Sequence, residues 1–438
     1  MSAISIGILG IIAFFIFIAL RTPIALAMII VGYVGYSSVT SFTAGYRIVS
    51  ADIYATFSSY SLAVIPMFVW MGFLSYYAGI GTKVYSFAYK IVGHMPGGLA
   101  MASQIACAIF GAICGSSTAT TATIGLIAYP EMKKYNYNDI LASSCIAAGG
   151  TLGILIPPSV ILVLYGIATG QSIGSLFLAG ILPGILLTTL FIITIWLITL
   201  RNPSWGPPSP EGKSSLKEIY TNLYTSGLLE VFVVFAITFG GFFAGWFTPT
   251  EAGAVGVGGV LLVTLIRKSL TWEVINKSLA DTTVTSAMIF LLVAGATIFG
   301  RFMAIARIPY ELAAWAGALP FEPFIVVAVI LFILLILGTF IDSLPLMLLT
   351  IPIFYPVVVQ NLGYDPIWFG IIMVLVVSMG CITPPVGINV YVIKGVTNVP
   401  LNDIFKGIWG FLIAILVCCA LLIVFPQIAT FLPSRLTP

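Results

Sequence analysis

The pattern Gly-x-x-x-Pro-Pro occurs twice in this sequence, and both copies lie inside long apolar stretches. The first copy runs from Gly153 to Pro158, and the second runs from Gly380 to Pro385. Glycine frees the backbone and proline removes a hydrogen-bond donor, so both residues interrupt helices. The pattern therefore predicts two broken helices at equivalent places. A single copy would be explained equally well by a packing kink in an ordinary membrane helix.

The two copies of the pattern are 227 residues apart, and a Tyr-Pro pair recurs at nearly the same spacing, which indicates an internal duplication. Tyr129-Pro130 corresponds to Tyr355-Pro356. We predict two structural repeats, residues 1–200 and 228–438, joined by a cytoplasmic connector over residues 201–227. Each repeat is expected to contain scaffold helices, a hairpin and a broken helix. The hairpins and broken helices lie near residues 97–129 and 140–165 in the first repeat and near 324–356 and 367–393 in the second.

Hydrophobic residues make up 60% of the chain and charged residues only 7%, whereas soluble domains are about 25% charged. Many apolar windows reach the roughly 20 residues that a helix needs to cross a bilayer. We therefore predict an all-α, polytopic membrane protein. The single histidine and the scattered cysteines offer no zinc-ligand spacing, so we expect buried free thiols. The apolar segments lie approximately at residues 4–20, 24–39, 61–77, 97–129, 140–165, 176–200, 229–247, 252–266, 284–300, 324–359, 367–393 and 408–432.

Two of these segments are too long for one crossing, and a polar cluster interrupts each of them. Residues 111–121 place glycines and a run of hydroxyls in the first, and residues 338–345 add the carboxylate of Asp342 in the second. Lipid offers no hydrogen bonds, so non-helical backbone at membrane depth must face protein or a water-filled cavity. We predict two re-entrant hairpins whose tips meet the broken helices, an arrangement that is typical of secondary transporters.

The basic residues indicate how the chain is oriented. If the first hairpin opens to the cytoplasm, all but four of the 17 lysines and arginines fall on the cytoplasmic side, as the positive-inside rule prefers. The loop at residues 130–139 carries two lysines, whereas the corresponding loop at residues 356–366 carries none. We therefore expect two inverted repeats, with both termini outside. The exceptions are Arg47, Arg301, Arg307 and Arg435.

The helix breaks predict two sodium sites. Backbone carbonyls that are freed at a break bind cations without the need for a buried carboxylate. We expect each site to pair one hairpin tip with one broken helix. The first site would consist of Ser116, Ser117, Gly153, Ile156 and Pro158. The second site would consist of Gly338, Thr339, Gly380, Thr383 and Val386.

Polar side chains near the tips are candidates for contact with an anionic substrate, because helix N-termini carry partial positive charge. Two interpretations remain open for Asp342. An ionisable residue inside a membrane segment is a functional candidate, but this residue also suits the N-cap of the helix after the tip. The predicted substrate-contacting residues are Ser116, Thr118, Thr120, Asp342, Ser343 and Asn389.

Several motifs together resemble the large membrane subunit of TRAP transporters, and the likeness covers nearly the whole chain. The resemblance implies a sodium-driven elevator in the bacterial inner membrane, with an architecture like that of the ion transporter superfamily. Sodium would be the coupling ion, no other cofactor is implied, and no enzymatic activity is expected. The motifs include Ile65-Pro66-Met67-Phe68, Pro96-Gly97-Gly98-Leu99-Ala100, Gly115-Ser116-Ser117-x-Ala119-Thr120, Gly150-x-x-Gly153-x-x-x-Pro157-Pro158-Ser159 and Ala179-Gly-x-x-Pro183-Gly184.

The resemblance also implies partners within a lipid bilayer. They are a small four-helix membrane subunit (Q), a periplasmic substrate-binding protein (P), and an organic acid of the sialic acid or C4-dicarboxylate class. Since no four-helix segment precedes Ile4, we expect the small subunit to be a separate polypeptide. No nucleic-acid partner is expected, because the basic residues are dispersed.

Three alternatives remain. A standalone sodium/dicarboxylate-type anion symporter of similar architecture would need no binding protein. A channel would show symmetric filters or charged rings, which this sequence does not display. An intramembrane aspartyl protease would use Asp365, which lies in a loop without a second aspartate opposite it.

Overall fold

The computed structural model describes residues 2–209, 212–318 and 322–436, and all regular secondary structure within these ranges is helical. Seven helical spans among the described residues are long and apolar enough to cross a membrane. The number is eight if the pair of helices around Gly227, bent by 75°, counts as one span. The prediction of an all-α polytopic membrane protein is confirmed.

Short breaks separate the helices of the first half. A 3-10 turn at Tyr60–Ala63 precedes the fourth helix. The helices are α1 Ala3–Ala19, α2 Ile24–Val39, α3 Phe42–Phe57, α4 Val64–Tyr77, α5 Ile80–Val92, α6 Gly98–Cys114, α7 Ser117–Lys134, α8 Asp139–Gly149, α9 Leu152–Leu155, α10 Val160–Thr169 and α11 Ile173–Arg201.

The second half follows a similar plan. A π-helical turn at Pro356–Asn361 extends the seventh of its helices. The helices are α12 Leu216–Thr225, α13 Leu228–Phe243, α14 Pro249–Ile266, α15 Trp272–Ile305, α16 Ile308–Ala318, α17 Pro323–Gly338, α18 Ser343–Tyr355, α19 Pro366–Gly380, α20 Ile388–Thr397, α21 Leu401–Val424 and α22 Gln427–Leu436.

Polar side chains begin many of these helices, because the first N–H groups of a helix have no partner inside it. Ser41 caps α3, Ser172 caps α11 and Thr271 caps α15. Thr248 and Glu251 form a capping box at the start of α14. Capping explains why these polar residues stand at the helix starts, so they need no role in ligand binding.

The helices pack as two sets. In the first, which we call the scaffold set, α15 packs along α2 and α4, while α14 packs against α4 and α13. In the second, the hairpin set, α6–α11 pack with α17–α22. The two sets meet where α4 contacts α6 and where α15 contacts α18, and α5 contacts members of both.

Four helices, α3, α5, α12 and α16, lie outside the apolar segments that the sequence predicts. Polar residues lower the hydropathy of α3 and α5, so neither stands out as an apolar run. In α3, the buried carboxylate of Asp52 accepts a hydrogen bond from Arg301 Nε of α15 at 2.7 Å. α12 lies within the segment at 201–227 that we predicted only as a connector.

Candidate functional site

A cavity of about 500 Å³ lies between the two helix sets. Both hairpin tips reach it, with Ser116 and Thr118 from the first and Asp342 and Ser343 from the second. Helices α4 and α15 of the scaffold set form the opposite wall. The cavity is the candidate binding site, because the polar tips of both halves converge there.

The tip of the first hairpin is a two-residue break between α6 and α7. Gly115 has a φ of 61°, a backbone conformation that favours glycine. A Cβ atom at Gly115 would lie 2.8 Å from the carbonyl oxygen of Pro158, so the tip rests directly on the first broken helix. Ser116 then caps α7, because its hydroxyl accepts a hydrogen bond from the N–H of Ala119.

The structure brings together most of the residues predicted for the first sodium site. A Cβ atom at Gly153 would lie 2.8 Å from the carbonyl oxygen of Ser116, and Pro158 lies beside Gly115. Ile156 has an extended backbone between α9 and α10. The hydroxyl of Ser117 points elsewhere, toward Asn389. Sodium binding by this group remains a prediction.

The tip of the second hairpin is a longer break, from Thr339 to Asp342, between α17 and α18. Asp342 caps α18, because its carboxylate accepts a hydrogen bond from the N–H of Ser343 at 2.7 Å. Asp342 also lines the cavity. The position of Asp342 is therefore compatible both with a capping role and with contact with a ligand in the cavity. The hydroxyl of Ser343 lies 2.9 Å from the Sγ atom of Cys381 in the second broken helix.

The residues predicted for the second sodium site also surround one helix break. A Cβ atom at Gly380 would lie 2.5 Å from the carbonyl carbon of Gly338, so the hairpin backbone touches the broken helix. The N–H of Thr383 donates to the carbonyl oxygen of Gly380 at 3.1 Å. Thr339, which follows Gly338, is buried, and Val386, three residues after Thr383, is half-buried. Their binding of sodium is likewise a prediction.

The two halves share this construction. In the first half Gly111 touches Gly153, because a Cβ atom at Gly111 would lie 2.6 Å from the Cα atom of Gly153. Gly338 and Gly380 are the equivalent pair in the second half, at the same offset as the repeated motif. The Pro-Pro bonds of both motifs are cis. A hairpin and a broken helix therefore meet at equivalent glycines in each half.

The cavity is polar at the tips and mostly apolar elsewhere, although Tyr76 and Thr285 line its scaffold side. Asp342 is the one charged side chain among the described residues that line it. The first turns of α7 and α18 both border the cavity, through their caps Ser116 and Asp342. Helix N-termini carry partial positive charge, so the first tip offers an anion both N–H groups and hydroxyls.

Two predicted substrate-contacting residues do not line the cavity. Thr120 is fully buried, and its hydroxyl donates to the carbonyl oxygen of Ser116 at 2.7 Å. Asn389 is fully buried as well and is hydrogen-bonded to Ser117. Both differ from the sequence prediction for the same reason: hydrogen bonds inside the protein already engage their polar atoms.

The scaffold side of the cavity was missed by sequence reasoning. Val69, Phe73 and Tyr76 of α4 and Met288 and Ile289 of α15 line this wall. Apolar residues are expected everywhere in membrane helices, so nothing in the sequence marks these ones. Thr285, a polar residue within an apolar segment, was the one available signal.

Comparison with known proteins assigns the chain to a family. The family model described as "Tripartite ATP-independent periplasmic transporter, DctM component" matches residues 11–428. The C4-dicarboxylate TRAP transporter large permease protein DctM of Pseudomonas aeruginosa is 33% identical, over 89% of this chain and 90% of the relative. The sialic acid TRAP transporter large permease protein SiaM of Vibrio cholerae is 34% identical, over 86% and 87%.

The fold is also similar to that of a solved structure. The crystal structure of the Alcanivorax borkumensis YdaH transporter, described as having an unusual topology, superimposes with a TM-score of 0.61. It is 13% identical and covers 89% of this chain and 90% of that chain. The relatives are named as transporter permeases rather than enzymes. This chain therefore belongs to the large permease (DctM) family of tripartite ATP-independent periplasmic transporters.

Proposed function

We propose that the chain is the large membrane subunit of a sodium-coupled transporter that imports an organic acid delivered by a binding protein. The observation that carries the proposal is the cavity between the two helix sets, where both hairpin tips present hydroxyls and helix N-termini. An acid group would be held by N–H and hydroxyl donors of the first tip, which require no basic residue. Sialic acid and C4-dicarboxylates are the proposed substrate classes, since relatives carry these names.

Two sodium ions would bind where each hairpin touches its broken helix. The first would take backbone oxygens around Gly153, Ile156 and Pro158, beside the tip at Ser116, whose own carbonyl oxygen already accepts hydrogen bonds from Thr120. The second would take oxygens around Gly338 and Thr383. Carbonyls at helix breaks are suited to cations because their partial negative charge is not used by a helical hydrogen bond. Since these sites adjoin the tips that line the cavity, bound sodium would stabilise the tips in the conformation that holds substrate.

Transport would follow an elevator mechanism. The hairpin set would carry the cavity across the membrane, while the scaffold set stays in place. The two repeats, residues 1–200 and 228–438, would be inverted relative to each other. Their pseudo-symmetry would let the cavity open to either side of the membrane in equivalent ways. The distribution of basic residues supports a cytoplasmic connector at 201–227 and termini in the periplasm, with the protein in the bacterial inner membrane.

The proposed partners are a small four-helix membrane subunit and a periplasmic substrate-binding protein. The family description, which names a tripartite system, supports a complex of three components. One relative, the isethionate TRAP transporter permease protein DctMQ of Oleidesulfovibrio alaskensis, is longer, and this chain matches 64% of it.

Reconstitution in proteoliposomes tests the proposal. The chain is inserted with its small subunit and supplied with binding protein and radiolabelled sialic acid or succinate. We expect saturable uptake that requires both the binding protein and an inward sodium gradient. Uptake that persists when potassium replaces sodium would contradict sodium coupling.

A matched experiment omits the small subunit and the binding protein. No uptake is expected from the chain alone. Sodium-driven uptake by the chain alone would instead identify a standalone anion symporter, and uptake that does not saturate would identify a channel.

A further inference from the structure

Asn389 is a fully buried polar residue that reaches from the second half of the chain to the first hairpin tip. Its Nδ2 atom donates to Ser117 Oγ at 2.8 Å and to the carbonyl oxygen of Ala147 at 3.1 Å. The hydroxyl of Ser117 donates to its Oδ1 atom at 3.1 Å. We propose that Asn389 is a positioning residue, which fixes the first hairpin tip and thereby sets the affinity of the first sodium site.

The three partners belong to three different elements. Ser117 is the first residue of α7, Ala147 lies near the end of α8, and Asn389 is the second residue of α20. The N–H of Asn389 also donates to the carbonyl oxygen of Cys381 at 3.0 Å, which anchors it to the end of α19. One residue therefore joins the first tip to both broken helices, through its side-chain amide and its backbone N–H.

The connection from Asn389 to the sodium site runs through short contacts. The carbonyl oxygen of Ser117 accepts a hydrogen bond from Thr121 Oγ1 at 2.9 Å. A Cβ atom at Gly150 would lie 1.7 Å from that Oγ1, so α7 has no spare room against the first broken helix. Ser116, the neighbour of Ser117, turns its carbonyl oxygen toward Gly153. Any displacement of Ser117 is therefore passed on to the proposed sodium ligands.

Asparagine is chemically suited to this place because its amide both donates and accepts. Alanine would leave the Ser117 hydroxyl and the Ala147 carbonyl oxygen buried without this partner, which is costly in an apolar interior. Aspartate could accept from Ser117, but its carboxylate could not donate to Ala147. The position therefore needs a side chain that both donates and accepts hydrogen bonds.

The duplication does not account for this interaction. The offset that relates Tyr129 of α7 to Tyr355 of α18 relates Ser117 to Ser343, the first residue of α18. The hydroxyl of Ser343 contacts Cys381 instead of an amide, and the offset that relates Gly153 to Gly380 places Leu162 at the position equivalent to Asn389. Leucine cannot supply the amide, so the second tip lacks an equivalent connection at these positions. The interaction is a property of the first tip alone.

Sodium activation tests the inference, and this arm rests on the proposed function. In Asn389→Ala and Ser117→Ala, we expect the sodium concentration for half-maximal uptake to rise about three- to tenfold, as for the loss of one buried hydrogen bond. Ser117→Thr keeps the hydroxyl and should restore sodium affinity, and the double alanine variant should be no worse than either single variant. The exposed Asn402→Ala serves as the control.

A second measurement does not depend on transport. Cys114 lies at the end of α6 and lines the cavity, whereas Cys418 is buried in α21 and gives an internal reference. Alkylation by a small maleimide, followed by mass spectrometry of the peptides, should modify Cys114 faster in Asn389→Ala and Ser117→Ala than in the wild type. If Asn389→Ala fails to accumulate, Ser117→Ala, which loses only a hydroxyl, carries the test.

The outcomes separate the two proposals. Unchanged Cys114 labelling in Ser117→Ala would overturn the positioning role, whatever sodium does. A wild-type protein whose uptake ignores sodium would overturn sodium coupling, and faster Cys114 labelling would still support the positioning of the tip by Asn389. Changed labelling with unchanged sodium affinity would overturn the link between the tip and the first site.

Discussion

The two hairpin tips occupy equivalent places in the chain but differ in length and chemistry. The first is a two-residue break, capped by the neutral hydroxyl of Ser116 and connected through Ser117 to Asn389. The second is a four-residue break, capped by the carboxylate of Asp342. Equivalent glycines meet beneath the tips in both halves, although their backbones approach each other differently. The duplicated backbone is therefore a common support, and the chemical differences are concentrated in a few residues at each tip.

The largest expected effect comes from breaking the common support. In Gly111→Ala the new Cβ atom would lie 2.6 Å from the Cα atom of Gly153, a distance that requires the backbone to move. Overpacking of this kind typically costs about 1–3 kcal/mol. We expect loss of transport and less folded protein, measured by uptake and by thermal unfolding in detergent.

Two glycines provide the controls for that variant. Gly338→Ala places its Cβ atom 3.4 Å from the nearest atom, an ordinary contact, and Gly395→Ala meets nothing within 4 Å. Both should retain folded protein and most of the transport. If Gly338→Ala were as damaging as Gly111→Ala, the steric explanation would be wrong.

Removal of the charge at the second tip should have the next largest effect. Asparagine caps helices about as well as aspartate, so Asp342→Asn keeps the cap of α18 and removes only the charge. We expect transport to fall by about tenfold or more, because Asp342 is the one charged side chain among the described residues that line the cavity and a hydrogen bond to a charged group is worth about 1.5–3 kcal/mol. The melting temperature should stay close to that of the wild type. Unchanged transport would leave Asp342 with the capping role alone.

A smaller effect is expected from Thr383→Val, which removes one hydroxyl near the proposed second sodium site and keeps the shape of the side chain. We predict that half-maximal activation will need about two- to fivefold more sodium, because one oxygen ligand or its support is lost. Sodium titration of uptake measures this change. Sodium activation equal to that of the wild type would remove Thr383 from the site.

The smallest expected effect distinguishes two threonines of the first tip. Thr118 lines the cavity, whereas Thr120 is buried behind it. Thr118→Val should raise the substrate KM by about threefold, as for one exposed hydrogen bond, and Thr120→Val should leave KM nearly unchanged. A larger shift in Thr120→Val would support the original sequence prediction that this hydroxyl contacts substrate.

Much of the hairpin architecture could be predicted from the sequence because the helix breaks carry chemical marks. Glycines and hydroxyls at residues 111–121 and 338–345 placed both tips close to where the structure has them. The Gly-x-x-x-Pro-Pro motifs likewise placed the broken helices. A helix break inside apolar sequence is conspicuous, since it needs residues that membrane helices otherwise use sparingly.

The remainder depends on contacts between distant parts of the chain. Nothing near Asn389 in sequence indicates that it meets Ser117, so a substrate contact was the natural but unsupported prediction. Apart from Tyr76 and Thr285, the wall formed by α4 and α15 is apolar like a lipid-facing surface. Helices α3 and α5 contain polar residues, so neither stands out as an apolar segment. Contacts with distant helices accommodate them: Asp52 of α3 pairs with Arg301 of α15, and α5 packs against α6.

The apolar wall of the cavity has a consequence for the barrier to movement. Under the proposed mechanism, substrate held by the tips must slide past Val69 and Phe73 of α4 and Met288 and Ile289 of α15. Dispersion contacts are weak and non-directional, so each one that is lost is replaced by a similar one along the path. Hydrogen bonds to this wall would have to break at fixed positions and would act as friction. A surface with little specificity is therefore the one that a travelling substrate crosses most easily.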